Sequence, residues 1–115
     1  MTKSAAATAR VRIAAEQAAT AHRIESLTAR LADILDGSEL TTNDDEHDPE
    51  GSTIAFERAQ VTSLIGDARQ ELEDLEAALR RVGDGSYGVC EKCGRAINPE
   101  RLDALPAARR CIDCA

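Results

Sequence analysis

The chain has 115 residues, 14 of them basic and 21 acidic, and its formal net charge is −7. Phe56 and Tyr87 are its only aromatic residues, which disfavours a wide compact core and predicts a thin or elongated one. No apolar run approaches the roughly 18 residues of a membrane span, and charges interrupt the first 17 positions where a signal peptide would be apolar. We therefore expect a soluble, cytoplasmic protein.

The excess of negative charge lies in one segment. Seven acidic residues and no Lys or Arg occur between Asp36 and Glu50, so the rest of the chain has equal numbers of acidic and basic residues. Such a segment repels the phosphates of nucleic acids and favours basic or metal-rich surfaces. The alternative is a solvated loop that only aids solubility.

The first predicted element is a long helix. Residues 4–35 contain no Gly or Pro and are rich in Ala, Arg, Glu and Leu, which are strong helix formers. We expect Gly37 to end this helix as a C-terminal cap. The predicted buried stripe advances in steps of three and four through Val11, Ala14, Ala18, Ala21, Ile24, Leu27, Leu31 and Ile34.

A second long helix is predicted to follow the acidic segment. Asp48-Pro49 is a typical start, although Gly51 favours a slip to Ser52 or Thr53, and residues 83–86 (GDGS) form a turn. Its apolar residues alternate steps of four and three, as in a coiled-coil seam: Val61, Ile65, Ala68, Leu72, Leu75, Leu79 and Val82. The short connector predicts an antiparallel two-helix coiled-coil hairpin over residues 1–83, with an acidic tip at about 36–51.

All four cysteines lie in the last 26 residues, as two C-x-x-C pairs separated by 17 residues: Cys90, Cys93, Cys111 and Cys114. This spacing is typical of a tetrahedral zinc site, and two redox or disulfide pairs are the alternative. The four thiolates predict one closed structural Zn²⁺ and no catalytic metal, because they leave no coordination position open. The segment holds few apolar residues, so the metal would supply much of its folding free energy.

A short helix is predicted between the two cysteine pairs. Asn98 would cap it, Pro99 would open it and Pro106 would end it. The fold class is therefore all-α, a long antiparallel hairpin over residues 1–83 followed by a small C-terminal four-cysteine zinc finger over residues 84–115.

The finger matches a known family between its cysteines as well as at them. The matching segments are YGVCEKCGRAI at 87–97, RL at 101–102, Pro106 and CIDC at 111–114. They resemble the DksA/TraR zinc finger. The resemblance implies a transcription regulator that binds RNA polymerase directly, inserts its coiled-coil tip into the secondary channel near the catalytic Mg²⁺, and modulates initiation.

The resemblance also implies that the tip carries partner-binding acids, here Asp44, Asp45, Asp48 and Glu50. Asp48 matches the first acid of the family's Asp-x-x-Asp pattern, whereas Gly51 stands where the second is expected. Two outcomes stay open: the tip acts through Asp44, Asp45 or Glu50, or it binds without the usual effect on promoters. Asp48 is also a candidate helix N-cap, and the two roles are compatible.

Basic residues near the zinc ligands are candidate contacts to acidic or phosphate groups of a partner: Arg95, Arg109 and Arg110. For Arg109 and Arg110, which adjoin Cys111, the alternative role is to offset the formal charge of −2 on four thiolates and one Zn²⁺. Family members bind the alarmone guanosine tetraphosphate with the help of basic residues on the second helix. At the corresponding positions this helix carries acids, with Arg80 and Arg81 as the nearest basic pair, so the resemblance leaves alarmone binding open: Asp67, Glu71, Asp74 and Glu76.

Other function classes are weighed against this one. The sequence contains no nucleophile–base pair, phosphate loop or H-E-x-x-H motif, so we predict no enzyme. A nucleic-acid-binding zinc ribbon is one alternative, which the acidic total disfavours, so neither sequence-specific DNA binding nor membrane binding is expected. A thiol-based redox switch, in which oxidation ejects zinc, is the other.

Overall fold

The structure, a computed structural model, describes residues 2–41 and 49–115, with side chains at 2–37 and 53–115. Helix α1 spans Lys3–Thr41, α2 spans Pro49–Asp84 and α3 spans Pro99–Ala104. Within these ranges the only extended pairing is one isolated antiparallel bridge, between Val89 and Ala96. No helix in the described part of the chain is long and apolar enough to cross a membrane.

The predicted end of the first helix is wrong. α1 continues through Gly37 to Thr41. A glycine ends a helix when it takes the left-handed conformation, and Gly37 is not among the glycines with positive φ. A glycine inside a helix costs about 1 kcal/mol relative to alanine.

The predicted bounds of α2 are confirmed. The helix begins at Pro49, so Gly51 lies within its first turn, and it ends at Asp84 in the expected turn. Gly85 then takes a φ of 86°, and the N–H groups of Ser86 and Tyr87 both donate to the carbonyl oxygen of Arg81. These bonds satisfy backbone acceptors that the last helical turn leaves open.

The described residues divide into two compact units, of which the first contains residues 1–19 and 71–115. In it, the start of α1 packs against the end of α2 and against the zinc finger. The buried cluster consists of Ala9, Ile13, Leu75, Ala78, Val82 and Tyr87, with Ala6, Leu79, Leu102 and Ala107 packed on it. An ion pair of 2.9 Å between Arg12 and Asp103 also joins α1 to α3.

The second unit contains residues 20–70, where the rest of α1 packs against the beginning of α2. Thr20, Val61, Ile65 and Ala68 are buried in it. The Arg30 guanidinium and the Glu57 carboxylate lie 3.3 Å apart across the helix pair. Within each unit the two helices run antiparallel, and the predicted fold class is confirmed: two long helices packed as a hairpin, followed by a four-cysteine finger with a short helix.

The buried stripe of α1 differs from the predicted one in its first half. Val11, Ala14, Ala18 and Ala21 are exposed, whereas Ala9, Ile13 and Thr20 are buried. Between Ala18 and Leu27 the predicted stripe takes three successive steps of three residues. Nine residues at about 100° each rotate the stripe by about 180°, so its two halves lie on opposite sides of the helix. Its second half is partly buried as expected: Ile24, Leu27, Leu31 and Ile34. The α2 seam is confirmed, with Ala78 added to it.

Candidate metal centre

The first cysteine pair is held by a tight backbone turn. The N–H of Cys90 donates to the carbonyl oxygen of Arg95 at 2.8 Å, and the N–H of Gly94 donates back to the carbonyl oxygen of Cys90 at 3.0 Å. Gly94 has a φ of 76°, a conformation that glycine adopts without steric cost. The turn brings Cys93 back beside Cys90.

The second pair is joined to the first through the backbone. The N–H of Cys114 donates to the carbonyl oxygen of Cys111 at 3.1 Å, which closes the second turn. The N–H of Glu91 donates to the carbonyl oxygen of Arg109 at 2.9 Å. The segment before Cys111 is therefore fixed against the first cysteine turn.

The helix between the two pairs forms as predicted. The Asn98 side chain accepts a hydrogen bond from the N–H of Glu100, Pro99 occupies the first turn, and α3 ends at Ala104 before Pro106. The Arg101 guanidinium donates from Nε to the carbonyl oxygen of Arg110 at 3.0 Å. α3 thus supports the backbone that carries the second cysteine pair.

These turns bring the four predicted ligands together. The sulfurs of Cys90, Cys93, Cys111 and Cys114 all lie within 4.8 Å of one another, and those of Cys93 and Cys111 are 3.7 Å apart. A tetrahedral site with Zn–S bonds near 2.3 Å has sulfur–sulfur edges of about 3.8 Å. The spacing fits one four-coordinate Zn²⁺ with no open position, which is a structural site.

The cluster favours unequal ionisation of its thiols before metal binds. Backbone N–H groups of Cys111 and Cys93 point at the Cys90 sulfur and lower the pKa of that thiol to about 6. Hydrogen bonding to Cys111, with burial and the other sulfurs, raises the pKa of the Cys114 thiol to about 12. Four adjacent negative charges repel one another, and only a bound cation makes the all-thiolate state favourable.

The three predicted basic residues lie around this centre. Arg109 forms an ion pair of 3.1 Å with Asp74 of α2, and Arg110 forms one of 3.0 Å with Glu91. Arg95 is exposed and has no side-chain partner among the described residues. The Asp74–Arg109 pair was not anticipated, because 35 residues separate the two and no local pattern connects them.

The predicted tip acids lie outside the described residues. The described ranges exclude Asp44, Asp45 and Asp48 entirely, and they include the backbone of Glu50 but not its side chain.

Residues 85–115 match the prokaryotic dksA/traR C4-type zinc finger. The C-terminal finger is therefore similar to the DksA/TraR zinc finger over residues 85–115. The predicted resemblance is confirmed, and with it the assignment of one zinc ion to the four-cysteine centre.

Two relatives illustrate the extent of the similarity. General stress protein 16O of Bacillus subtilis is 37% identical over 89 residues, which cover 77% of this chain and 51% of that protein. The RNA polymerase-binding transcription factor DksA of Escherichia coli is 44% identical over 46 residues, which cover 40% of this chain and 30% of that protein. The matched segments thus span about half the length of the first relative and less than a third of the second.

A solved structure shares the fold over nearly the whole chain. Transcription factor DksA2 from Pseudomonas aeruginosa superposes with a TM-score of 0.77, covering 99% of this chain and 82% of that one. The sequence identity is 22%, so this likeness concerns the fold.

Proposed function

We propose that the protein is a transcription regulator that binds RNA polymerase directly, through its helical hairpin, and modulates initiation. The observation that carries the proposal is the combination of the family's zinc finger with a DksA2-like hairpin fold. A relative with this finger is named for RNA polymerase binding.

The acidic segment between Asp36 and Glu50, here called the acidic connector, is the proposed functional end of the hairpin. Asp44, Asp45, Asp48 and Glu50 would enter the secondary channel, where Mg²⁺ and basic residues favour negative charge. Gly51 replaces the second acid of the family's pattern, so the charge would be supplied by several neighbouring acids and not by one spaced pair. Asp48 would also cap α2.

The zinc finger is proposed as a second contact region on the polymerase. Arg95 is exposed and unpaired within the described structure, which suits a contact to an acidic side chain of the partner. Arg109 and Arg110 already pair with Asp74 and Glu91. To contact the polymerase, each of these two arginines would have to give up its present carboxylate for one of the polymerase. Arg95 should therefore contribute most to polymerase binding among the three arginines.

The direct test is binding of the zinc-loaded protein to bacterial core RNA polymerase, with a known secondary-channel factor as competitor. Binding that the competitor displaces supports insertion into the channel. Binding that persists at saturating competitor contradicts the channel site. Absence of binding at micromolar concentrations contradicts the function as a whole.

The same proposal excludes other ligands. A net charge of −7 opposes the phosphate contacts that dominate DNA affinity, so no sequence-specific DNA binding is expected, and localisation is proposed to be cytoplasmic. Alarmone binding is not part of the proposal, because Asp74 of α2 pairs with Arg109 and the basic residue Arg81 donates to the carbonyl oxygen of Ala107. Salt-dependent binding to promoter DNA alone would favour the nucleic-acid ribbon instead.

One observation favours redox control as an additional layer. Cys93 is exposed, and its sulfur lies 3.7 Å from that of Cys111. Peroxide could oxidise these two thiolates to a disulfide while its O–O bond is cleaved to two hydroxide ions, and Zn²⁺ would leave the site. Zinc release by mild peroxide, reversed by a thiol reductant and added zinc, would support this role. Retention of zinc under conditions that oxidise an exposed model thiol would remove it.

A further inference from the structure

Residues 53–66 of α2 are almost uncharged, although the helix is exposed on one side. Residues 53–66 contain two charged residues, Glu57 and Arg58, whereas residues 67–81 contain eight. Solvent-facing helix surfaces are normally charged or polar. The uncharged segment directly follows the acidic connector in sequence.

Its exposed positions lie on one face of the helix. They are spaced at i, i+3, i+4, i+7 and i+8, and all of them are exposed. We call this set the Phe56 face: Phe56, Ala59, Gln60, Ser63 and Leu64. Phe56 is 72% exposed and Leu64 42%. At about 100° per residue, Phe56 lies roughly 140° from Val61 and 180° from Ile65. Those two seam residues are buried, so this face points away from the helix pairing of its own unit.

A single exposed apolar residue needs no explanation. A continuous uncharged face that contains the chain's only phenylalanine is different, since the cores of protein interfaces are poor in charge and rich in aromatic residues. The two large apolar side chains of the face, Phe56 and Leu64, are exposed about two helical turns apart, with uncharged residues between them. The face therefore has the chemistry of an interface that is not used within the described structure.

We propose that the Phe56 face is a contact surface for RNA polymerase, with Phe56 as its anchor. The inference rests on the proposed function and adds to it a surface that the family resemblance does not assign. The occupant is an apolar recess of the polymerase bordered by basic side chains. Seven acids without a compensating base lie just before the face in sequence, at positions 36–50, so charge complementarity requires basic residues beside the recess.

The test compares two variants at positions of equal exposure. Phe56→Ala removes the anchor, and Val11→Ala removes an apolar side chain that is 71% exposed on α1. Neither substitution should lower thermal stability, because neither residue is buried. Phe56→Ala should weaken binding to core polymerase about 30-fold, as truncation of an aromatic interface anchor does, whereas Val11→Ala should leave it unchanged.

A second pair of variants tests the face without removing apolar area. Ser63→Glu places a charge in the centre of the Phe56 face, and Ser26→Glu places the same charge at an exposed position of α1. The first should weaken polymerase binding at least about 10-fold, because a buried unpaired charge is costly. The second should have no effect.

The outcomes separate this inference from the function on which it rests. If the wild type fails to bind polymerase, the proposed function is wrong. If it binds and Phe56→Ala and Ser63→Glu bind equally well, the function stands and the Phe56 face is overturned. Sedimentation must show a monomeric wild type at the concentrations used. Dimers that Phe56→Ala abolishes would assign the face to self-association and also overturn the inference.

Discussion

The hydroxyl of Tyr87 donates a hydrogen bond of 2.9 Å to the carbonyl oxygen of Pro106. The first residue lies in the turn after α2 and the second in the loop after α3. Tyr87 is 5% exposed, and its ring is part of the cluster formed by the start of α1 and the end of α2. One side chain thus connects the helix core to the segment that leads to the second cysteine pair.

Replacing Tyr87 with Phe should lower the free energy of unfolding by about 1–2 kcal/mol, because the buried Pro106 carbonyl loses its donor while the ring packing is kept. Chemical denaturation of the zinc-loaded protein measures this. Val11→Ala serves as the control, since Val11 is exposed and should not change stability. Equal stability of wild type and Tyr87→Phe would show that water replaces the hydroxyl.

The same residue predicts a response to alkaline pH. Burial raises the pKa of the Tyr87 phenol above its usual value of 10. A group whose pKa is raised on folding contributes its stability fully below the unfolded pKa and loses it as pH rises through the folded pKa. Denaturation at about pH 8 and about pH 11, on either side of the ordinary tyrosine pKa, should therefore show the advantage of wild type over Tyr87→Phe shrinking at the higher pH. A constant difference would contradict the assignment.

Thr20→Val should stabilise the protein by about 1 kcal/mol. The Thr20 hydroxyl is fully buried and has no hydrogen-bond partner among the described residues. Valine has nearly the same shape and the same β-branching, and it removes the cost of an unsatisfied hydroxyl. Thr20→Ser is the matched control, because it keeps the hydroxyl and loses the methyl group, and it should destabilise. A destabilising Thr20→Val would imply a partner for the hydroxyl.

Cys90→Ser should abolish stoichiometric zinc binding and unfold the finger, while most of the helicity is retained. Cys90 is one of four ligands and the most buried of them. Zinc content, circular dichroism and protease mapping of residues 84–115 give the readouts. Ile112→Ser is the control, since Ile112 lies beside a ligand but is 76% exposed. A finger that stays protease-resistant without zinc would contradict a structural role for the metal.

Asp48→Ala, alone or with Asp44 and Asp45 replaced, should reduce the effect on transcription more than it reduces polymerase binding. The proposed role of these acids is to act near Mg²⁺, whereas affinity is shared with other surfaces. Asp33→Ala is a control for charge, because Asp33 is an exposed acid on α1 outside the acidic connector. Equal losses of binding and activity would make the tip an anchor only.

The zinc centre could be predicted almost completely from the sequence. Two C-x-x-C pairs restrict the chain locally, so ligand identity follows from spacing, and Asn98 and Pro99 define α3 by local capping. The ion pairs around the centre could not be predicted, because Asp74 and Arg109 meet only through tertiary packing. Because Arg109 is already paired with Asp74, a partner could contact Arg109 only by replacing that acid.

Helix pairing was predictable where large residues mark the seam and unpredictable where they do not. α2 has Val, Ile and Leu at nearly every seam position, and its buried face was identified correctly. The first half of α1 offers many alanines, whose burial contributes little free energy, so several stripes are nearly equivalent by composition. Ile13 was the deciding residue, since its larger side chain favours burial over that of Val11.

The cluster around Tyr87 has a consequence for the modularity of the protein. Leu102 and Ala107 of the finger pack on the cluster that contains Ala9, Ile13 and the end of α2, so finger and helix ends share one hydrophobic core. A chimera that receives the finger of a relative would also have to receive matching residues at positions 6–13. Sequence drift in the finger and at the start of α1, far apart along the chain, should therefore be correlated across the family.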